Sequence, residues 1–234
     1  MIRSRFWCAL APALLCLAVG ACTPQQPNMV QRQHSDDAYT ALNAAQTPSG
    51  LDTLAKLPVK GRAPMTGYSR NQFGATWFDE DHNGCDTRDD ILRRDLTNVV
   101  LKSGVVSCPK MAVASGDLHD PYTGKTIHFV RGPASSGAVQ IDHVVPLGDA
   151  WQTGAQQLAG AQRRAFANDP LNLLAVDGPS NEAKGDSDAA SWLPPNTVVR
   201  CAYISRQLAV KQLYKLWVTQ PEHDAMAKIL NTCH

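Results

Sequence analysis

Residues 141–147 read Ile-Asp-His-Val-Val-Pro-Leu and place two chemically active side chains at the end of an apolar run. Val139-Gln140-Ile141 predicts a short strand that leads into this segment. Successive side chains of a strand point to opposite faces, so Asp142 and His143 can share one site only if the strand ends or bends there. Pro146 favours such an end, because proline is excluded from the interior of a sheet.

Two further segments follow in order along the chain. Residues 168–174 read Asn-Asp-Pro-Leu-Asn-Leu-Leu, and residues 180–185 read Ser-Asn-Glu-Ala-Lys-Gly. The apolar run Leu171 to Val176 predicts a buried strand. Gly178-Pro179-Ser180 then predicts a turn into a short helix that carries Asn181 and Lys184. The sequence therefore predicts strand, strand and helix, each bearing polar side chains.

These three segments together resemble the HNH endonuclease family. They most resemble the exported bacterial branch related to the C-terminal HNH domain of GmrSD-type restriction enzymes, over roughly residues 68–216. The resemblance implies an α+β fold. Its core would be a ββα-metal unit (HNH, or His-Me finger), with extra helices and a small antiparallel sheet around it.

The resemblance also implies a role for each site residue. Asp142 and Asn181 would be metal ligands, and His143 would be the general base. Asn172 would orient the histidine or tie the strand to the loop, and Lys184 would place a positive charge near the scissile phosphate. Such oxygen ligands favour Mg²⁺ or Mn²⁺ over structural zinc. The family implies products with 5′-phosphate and 3′-hydroxyl ends.

The chemistry of the residues agrees with that resemblance. Hydrolysis of a phosphodiester takes an activated water, charge neutralisation on the phosphate and stabilisation of the leaving oxygen. An unperturbed histidine pKa of about 6.5 suits a general base near neutral pH. Each residue also has an ordinary alternative: Asp142 and His143 as a hydrogen-bonded surface pair, Asn181 as a helix cap, and Lys184 as an exposed helix-end charge.

The N-terminus has the pattern of an export signal. Arg3 and Arg5 precede an apolar stretch, and Val19-Gly20-Ala21-Cys22 resembles a bacterial lipobox. The pattern predicts a lipoprotein signal peptide over residues 1–21 and lipidation of Cys22, with a plain signal peptide cut elsewhere or a buried helix as the alternatives. Residues 22–50 are polar and predict a flexible tether, and residues 51–234 predict the nuclease domain. The protein is thus expected in the cell envelope, lipid-anchored to a membrane or secreted.

Four cysteines remain in the predicted domain, and an even number in an exported chain predicts disulfides. Of the three pairings, Cys85–Cys108 and Cys201–Cys233 are favoured because each brackets a local unit. A zinc site is the alternative, but the sequence has no Cys-x-x-Cys pair.

Composition excludes a polycationic nucleic-acid binder. The chain has 234 residues, a net charge of +1 and 18% charged residues, so contacts to nucleic acid must be local. Arg88 is a candidate phosphate contact, with a structural ion pair as the alternative. Residues 79–90 match half of an EF-hand loop, but Asp90 stands where a bidentate Glu is usual, so a polar turn is favoured.

The sequence also predicts several elements around these motifs. The predicted helices are Thr87–Leu96, Ala155–Ala167, residues 199–218 and one starting at Pro221, and the predicted strands are Met111–Leu118 and Thr126–Val130. The favoured function is a monomeric, metal-dependent endonuclease that cleaves DNA, or also RNA, with little sequence specificity. The alternatives are a non-enzymatic envelope lipoprotein that binds a ligand or partner, and a metal phosphodiesterase for a small substrate.

Overall fold

The computed structural model of the protein describes residues 50–102 and 112–233. The predicted signal peptide (residues 1–21), the lipidated Cys22 and the predicted tether up to residue 49 lie outside the described residues, and so does Cys108. Among the helices in the described part of the chain, none is both long enough and apolar enough to cross a bilayer.

Helices make up most of the regular structure. They are α1 (Gly50–Lys56), α2 (Thr87–Asp95), α3 (Leu147–Gln152), α4 (Gly160–Asn168), α5 (Gly178–Lys184), α6 (Arg200–Leu213) and α7 (Gln220–Leu230). The predicted helix 155–167 begins late, because residues 155–157 form a separate 3-10 turn. The predicted helix 199–218 ends at Leu213, where Lys215 adopts a φ of 55°.

A three-stranded antiparallel sheet contains β1 (Leu96–Leu101), β2 (Val113–His119) and β3 (Thr126–Val130) in that order. The predicted strand pair and the turn between β2 and β3 are present, with Gly124 at a φ of 75° that suits glycine. β1 was not predicted, because it follows α2 without an intervening turn residue. Together with the helices, this sheet confirms the α+β class.

A second antiparallel pair joins β4 (Val139–His143) to β5 (Leu173–Asp177). Its register places Asp142 opposite Leu174 and His143 opposite Leu173. Helix α5 follows at once, because the Asp177 carboxylate accepts a hydrogen bond from the Ser180 amide at 2.9 Å and Pro179 occupies the first turn. The order along the chain is strand, strand and helix, as the sequence predicts.

A disulfide joins Cys201 of α6 to Cys233, which follows α7. Their sulfur atoms are 2.04 Å apart, which confirms this predicted pair. Cys85 is also disulfide-bonded, and its predicted partner Cys108 lies outside the described residues. The bond at Cys201 closes the open end of the helical hairpin formed by α6 and α7.

Two apolar clusters fill the interior. The larger one packs β4 and β5 against α6, with Leu174 and Leu208 among its fully buried members. The smaller one brings Phe73 and Phe166 together with Trp151. Phe73 belongs to a 3-10 turn, Arg70–Phe73, so the smaller cluster fixes this turn beside α4. The end of β4 lies between the two clusters, and His143 is there.

Candidate active site

His143 is the last residue of β4, and its ring is held by a backbone oxygen. Its Nε2 lies 2.9 Å from the carbonyl oxygen of Ala167 in α4. A carbonyl oxygen accepts but cannot donate, so Nε2 carries the proton. Nδ1 of the neutral ring then has a free lone pair, and within the described residues no hydrogen bond reaches it. This tautomer can accept a proton from a water.

An aromatic side chain covers one face of the imidazole. The Trp77 ring is stacked on His143 with centroids 6.4 Å apart and planes 9° apart. Trp77 has a φ of 56°, a left-handed conformation that is disfavoured for a bulky residue. Strained backbone of this kind is concentrated at functional sites. Trp77 thus limits how far the imidazole can turn.

Burial keeps the imidazole neutral. Desolvation lowers the pKa of His143 to about 4, and the positive charges of Arg70 and Lys184 lower it further, while the bond to Ala167 acts in the opposite direction. The ring is therefore uncharged at neutral pH, as a proton acceptor must be. This pKa lies well below the unperturbed value that the sequence suggested.

His143 opens into a small cleft between β4, α4 and the segment around the Arg70–Phe73 turn. The cleft encloses about 30 Å³, room for roughly two waters. Its lining residues are Arg70, Phe73, Gly74, Ala75, Thr76, Trp77, His143, Leu147, Ala167 and Asn168.

Asp142 points to the opposite face of β4. Its carboxylate is 4% exposed and accepts hydrogen bonds from the Lys184 ammonium at 2.8 Å and from the Tyr122 hydroxyl. Burial raises the pKa of Asp142, and the bonds from Lys184 and Tyr122 oppose that rise. The strand does not bend enough to bring Asp142 and His143 onto one face.

Lys184 lies in the interior, although the sequence placed it near the scissile phosphate. It is 1% exposed, and its ammonium also donates to the carbonyl oxygen of His143 at 2.8 Å. Helix α5 is short, so its last residue lies directly over the end of β4. In this position Lys184 anchors the histidine backbone and neutralises Asp142, and it has no path to a phosphate outside.

Asn181 lies over the same face of β4, closer to the start of the strand than Lys184. Its side-chain amide donates to the Gln140 Oε1 at 2.8 Å. Gln140 in turn donates to Glu182 at 2.8 Å. Gln140 and Asp142 are two positions apart and therefore lie on the same face of the strand. Asn181 contacts Gln140, and Lys184 contacts Asp142. The predicted ligands Asp142 and Asn181 thus share a face of the strand, whereas His143 is on the other.

The donor atoms of Asp142 and Asn181 suit a hard cation, but their arrangement does not. Both carboxylate oxygens of Asp142 are already hydrogen-bonded, and the ammonium that neutralises it lies 2.8 Å away. A divalent ion at this carboxylate would have to displace the positive charge of Lys184. The geometry therefore does not fit a metal held by Asp142 and Asn181.

Asn172 is a brace between two loops. It is fully buried, accepts a hydrogen bond from the Val145 amide at 2.8 Å, and donates to the Val145 carbonyl at 3.2 Å. It also reaches the carbonyl of Phe166 in α4 at 3.5 Å. Of the two roles that the sequence allowed, this geometry matches tying the strand to the loop. The brace sets the distance between His143 and Ala167.

Arg88 is engaged with backbone oxygens. Its guanidinium donates to the carbonyls of Val139 at 3.1 Å and Ser136 at 3.4 Å. Burial lowers the pKa of Arg88 and neighbouring Arg131 lowers it further. These contacts hold the start of β4 against α2, so they place Arg88 away from a phosphate.

The acidic segment 79–90 forms a polar turn. The Asp79 carboxylate accepts hydrogen bonds from the Asn83 amide at 3.1 Å and the Gly84 amide at 3.0 Å. Asp86 caps α2 by accepting a hydrogen bond from the Asp89 amide at 2.8 Å. The carboxylates are used within the turn, as the favoured interpretation of this segment expects.

A buried charge cluster lies under α3, α6 and α7. Lys211 is fully buried, and its ammonium lies 3.0 Å from Asp149 and 2.8 Å from Glu222. Arg62 adds a second cation, 2.7 Å from Asp188 and 3.4 Å from Asp149. These three carboxylates are close enough together to hold a cation. Lys211 and Arg62 already neutralise these carboxylates, so the cluster holds α3, α6 and α7 together.

Comparison with known proteins gives the class and then the family. The family model described as "GmrSD restriction endonucleases, C-terminal domain" matches residues 86–229. That description indicates an endonuclease domain, and the match covers α2 through most of α7, including His143 and Asn181. The chain belongs to this family, which confirms the predicted relation to the GmrSD C-terminal domain.

One curated relative resembles almost the whole chain. It is described as "Uncharacterized secreted protein" and comes from Arthroderma benhamiae (strain ATCC MYA-4681 / CBS 112371). It is 37% identical over 227 residues, which cover 96% of this chain and 97% of that protein. No solved structure matches.

Three residues near the site were not identified from the sequence. Tyr122 holds Asp142, Trp77 stacks on His143, and Arg70 lines the cleft. Tyr122 belongs to the turn between β2 and β3, and a turn sequence gives no sign that a side chain is buried. Trp77 and Arg70 lie far from the motifs along the chain, so long-range packing alone brings them to the site.

Proposed function

We propose that the protein is an HNH-type endonuclease that hydrolyses phosphodiester bonds of nucleic acid, with His143 as the general base. The observation that carries this proposal is the fixed tautomer of His143. Its Nε2 proton is committed to the Ala167 carbonyl at 2.9 Å, which leaves Nδ1 free in the cleft. The match to a restriction-endonuclease family supports the same chemistry.

In the proposed reaction a water in the cleft donates a hydrogen bond to Nδ1 of His143. Nδ1 takes the proton as the water oxygen attacks phosphorus, and the bond from phosphorus to the 3′ oxygen breaks. The 3′ oxygen leaves and is protonated from solvent, which gives 5′-phosphate and 3′-hydroxyl ends. The bond to Ala167 steadies the imidazolium that forms, because a charged donor makes a stronger hydrogen bond.

The strand–strand–helix unit of β4, β5 and α5 has the chain order of the ββα core that the family resemblance implies. We assign it that identity, with Asn172 as the brace that keeps His143 and Ala167 together. Lys184 is assigned a positioning role, since its ammonium holds the His143 carbonyl and the Asp142 carboxylate.

A divalent metal, Mg²⁺ or Mn²⁺, belongs to the proposal through family membership alone. When bound, such an ion would polarise the phosphate and stabilise the leaving oxygen. Because Asp142 is engaged with Lys184, no step above depends on where the ion sits. Chelation tests the requirement directly.

DNA is the proposed substrate, cleaved with little sequence specificity. Contact is expected with the sugar–phosphate backbone across the mouth of the small cleft, and such contacts carry no sequence information directly. Export of the protein is proposed from the N-terminal signal pattern and from the relative described as secreted. Lipidation at Cys22 and a monomeric state stay predictions of the sequence.

A plasmid-nicking assay tests the function. The wild type with Mg²⁺ or Mn²⁺ is expected to convert supercoiled plasmid to nicked and linear forms, and EDTA is expected to stop it. His143→Ala should lose most of the activity while remaining folded. Cutting that survives both His143→Ala and EDTA would reject the proposal, and so would hydrolysis of a small phosphodiester with no cutting of plasmid.

A further inference from the structure

We infer that Arg70 binds a backbone phosphate of the nucleic-acid strand that lies across the His143 cleft. This inference rests on the proposed nuclease function and extends it to the residue that holds the substrate. Arg70 precedes the stretch that matches the family model, which begins at residue 86, so the family match assigns it no role.

Arg70 is set on a rigid support. It begins the 3-10 turn Arg70–Phe73, whose last residue, Phe73, is buried against Trp151 and Phe166. The next residue, Gly74, has a φ of 83°, and a Cβ there would lie 2.8 Å from the Arg164 side chain. The turn therefore packs closely against α4 and does not need substrate to order it.

A second arginine ties this turn to α4. The Arg163 guanidinium donates to the Gln72 carbonyl at 2.8 Å and lies over the Trp151 ring at 5.6 Å. Because Gln72 and Phe73 are both held by these contacts, the backbone of this short turn keeps its place on the cleft wall, and a phosphate bound by Arg70 would meet a preorganised donor.

Arg70 is the exposed cation of the cleft that has no partner within the described residues. Its guanidinium makes no hydrogen bond or ion pair there, and the side chain faces solvent. The other cations that the sequence proposed for a phosphate are engaged: Lys184 with Asp142, and Arg88 with the Val139 carbonyl. Arg164, the neighbour on α4, pairs with Glu80 at 3.1 Å.

Arg70 and His143 line the same small cleft. A phosphate held by this guanidinium at the cleft wall would therefore lie beside the imidazole, and the positive charge of Arg70 acts in the same direction as burial on the pKa of His143. Guanidinium donors are arranged in a planar fork that matches two phosphate oxygens, which an ammonium cannot reproduce.

Binding of a 20-base-pair duplex in EDTA buffer, measured by fluorescence anisotropy, separates binding from cleavage. All variants carry His143→Ala, so no product forms. Arg70→Gln is expected to weaken binding about 10-fold, and Arg70→Lys less. The slope of log Kd against log salt should fall by about 1 in Arg70→Gln, because one phosphate contact is lost.

Lys228→Gln is the matched control. Lys228 is an exposed residue of α7, far from the Arg70–Phe73 turn in the sequence. Lys228→Gln removes one positive charge, as Arg70→Gln does. The control should bind with unchanged affinity and salt slope. Equal affinity and slope in Arg70→Gln and its parent would overturn the inference, and so would an equal loss in Lys228→Gln, which would reveal a general charge effect.

Two further outcomes keep this inference separate from the proposed function. A wild type that cuts plasmid while Arg70→Gln binds normally rejects the role of Arg70 and keeps the nuclease. A protein that binds duplex through Arg70 but never cuts rejects the nuclease and keeps the binding role. The Arg70 guanidinium has no partner among residues 50–102 and 112–233, so a drop in melting temperature of Arg70→Gln would itself contradict the inference.

Discussion

The Lys184 ammonium lies 2.8 Å from the Asp142 carboxylate and 2.8 Å from the carbonyl oxygen of His143, in a setting closed to solvent. One cation thus connects the end of α5 with two consecutive residues of β4. The side chain of one of these residues points inward, and the other bears the proposed base. This contact makes the position of the imidazole depend on an interaction on the opposite face of the strand.

Removing either member of this pair should destabilise the fold. Asp142→Asn and Lys184→Met are each expected to lower the free energy of unfolding by about 3–5 kcal/mol, because a buried charge loses its partner. The double variant should cost about 1–3 kcal/mol less than the sum of the two. Urea unfolding monitored by tryptophan fluorescence measures all three, and strictly additive losses would contradict the ion pair.

Activity should persist at mildly acidic pH and fall only at low pH. His143 must be neutral to accept a proton, and its pKa is lowered to about 4. Activity is therefore expected to be retained at pH 5.5 and to fall as the pH drops through about 4. A profile of kcat/KM between pH 3.5 and 8, at saturating metal, measures this, and half-maximal activity near pH 6.5 would contradict the burial of the ring.

Asn172 should matter for both stability and activity. Asn172→Ala leaves the buried amide and carbonyl of Val145 unpaired, which should cost about 2–4 kcal/mol. Activity measured well below the melting temperature should also fall, because the end of α4 that carries Ala167 is no longer held near His143. If Asn172→Ala unfolds more easily but cuts at the wild-type rate, the brace does not position the base.

The buried cluster around Lys211 should respond unequally to its two simplest substitutions. Lys211→Met leaves three carboxylates facing one another, with Arg62 as the remaining partner, and should cost about 3–5 kcal/mol at pH 7. Glu222→Gln should cost less, because burial already raises the pKa of Glu222 and its charged form is disfavoured.

The pH dependence of these variants gives the check. A carboxylic acid whose pKa is raised on folding stabilises the fold at low pH, and this contribution is lost as the pH rises through the raised pKa. The penalty of Lys211→Met should therefore shrink between pH 7 and pH 5. Urea unfolding at the two pH values measures it, and a penalty that grows on acidification would contradict the cluster.

Reduction of the Cys201–Cys233 disulfide should loosen the helical hairpin. The two residues are 32 positions apart, and closing a loop of this size is worth about 3–4 kcal/mol by its effect on the unfolded chain. The Cys201→Ser/Cys233→Ser variant should unfold at lower urea concentration by that amount. A variant as stable as the wild type would show that α6 and α7 hold together by packing alone.

The sequence predicted the parts of the site that depend on local pattern. The apolar run before Asp142, the turn at Pro179 and the spacing of Cys201 and Cys233 each act within a few residues or within one hairpin. They correctly gave the strand–strand–helix order, the position of His143 at a strand end and one disulfide. Family resemblance added the endonuclease class.

What the sequence missed depends on which way a side chain faces and on distant packing. Lys184 was expected near a phosphate, but the short length of α5 brings its last residue over Asp142 in the interior. The low pKa of His143 follows from a ring covered by Trp77 and α4, which local pattern does not reveal. Arg70 reaches the cleft through the contacts of Phe73 and Arg163 with α4.

Asp142 and His143 are adjacent in sequence but lie on opposite faces of β4. One contributes to stability, and the other is the proposed catalytic base. In a random library at position 142, most variants should be lost to protease digestion because they fold poorly. In a library at position 143, most variants should survive digestion and be lost only when catalysis is selected. Two neighbouring codons would then evolve under different selection pressures.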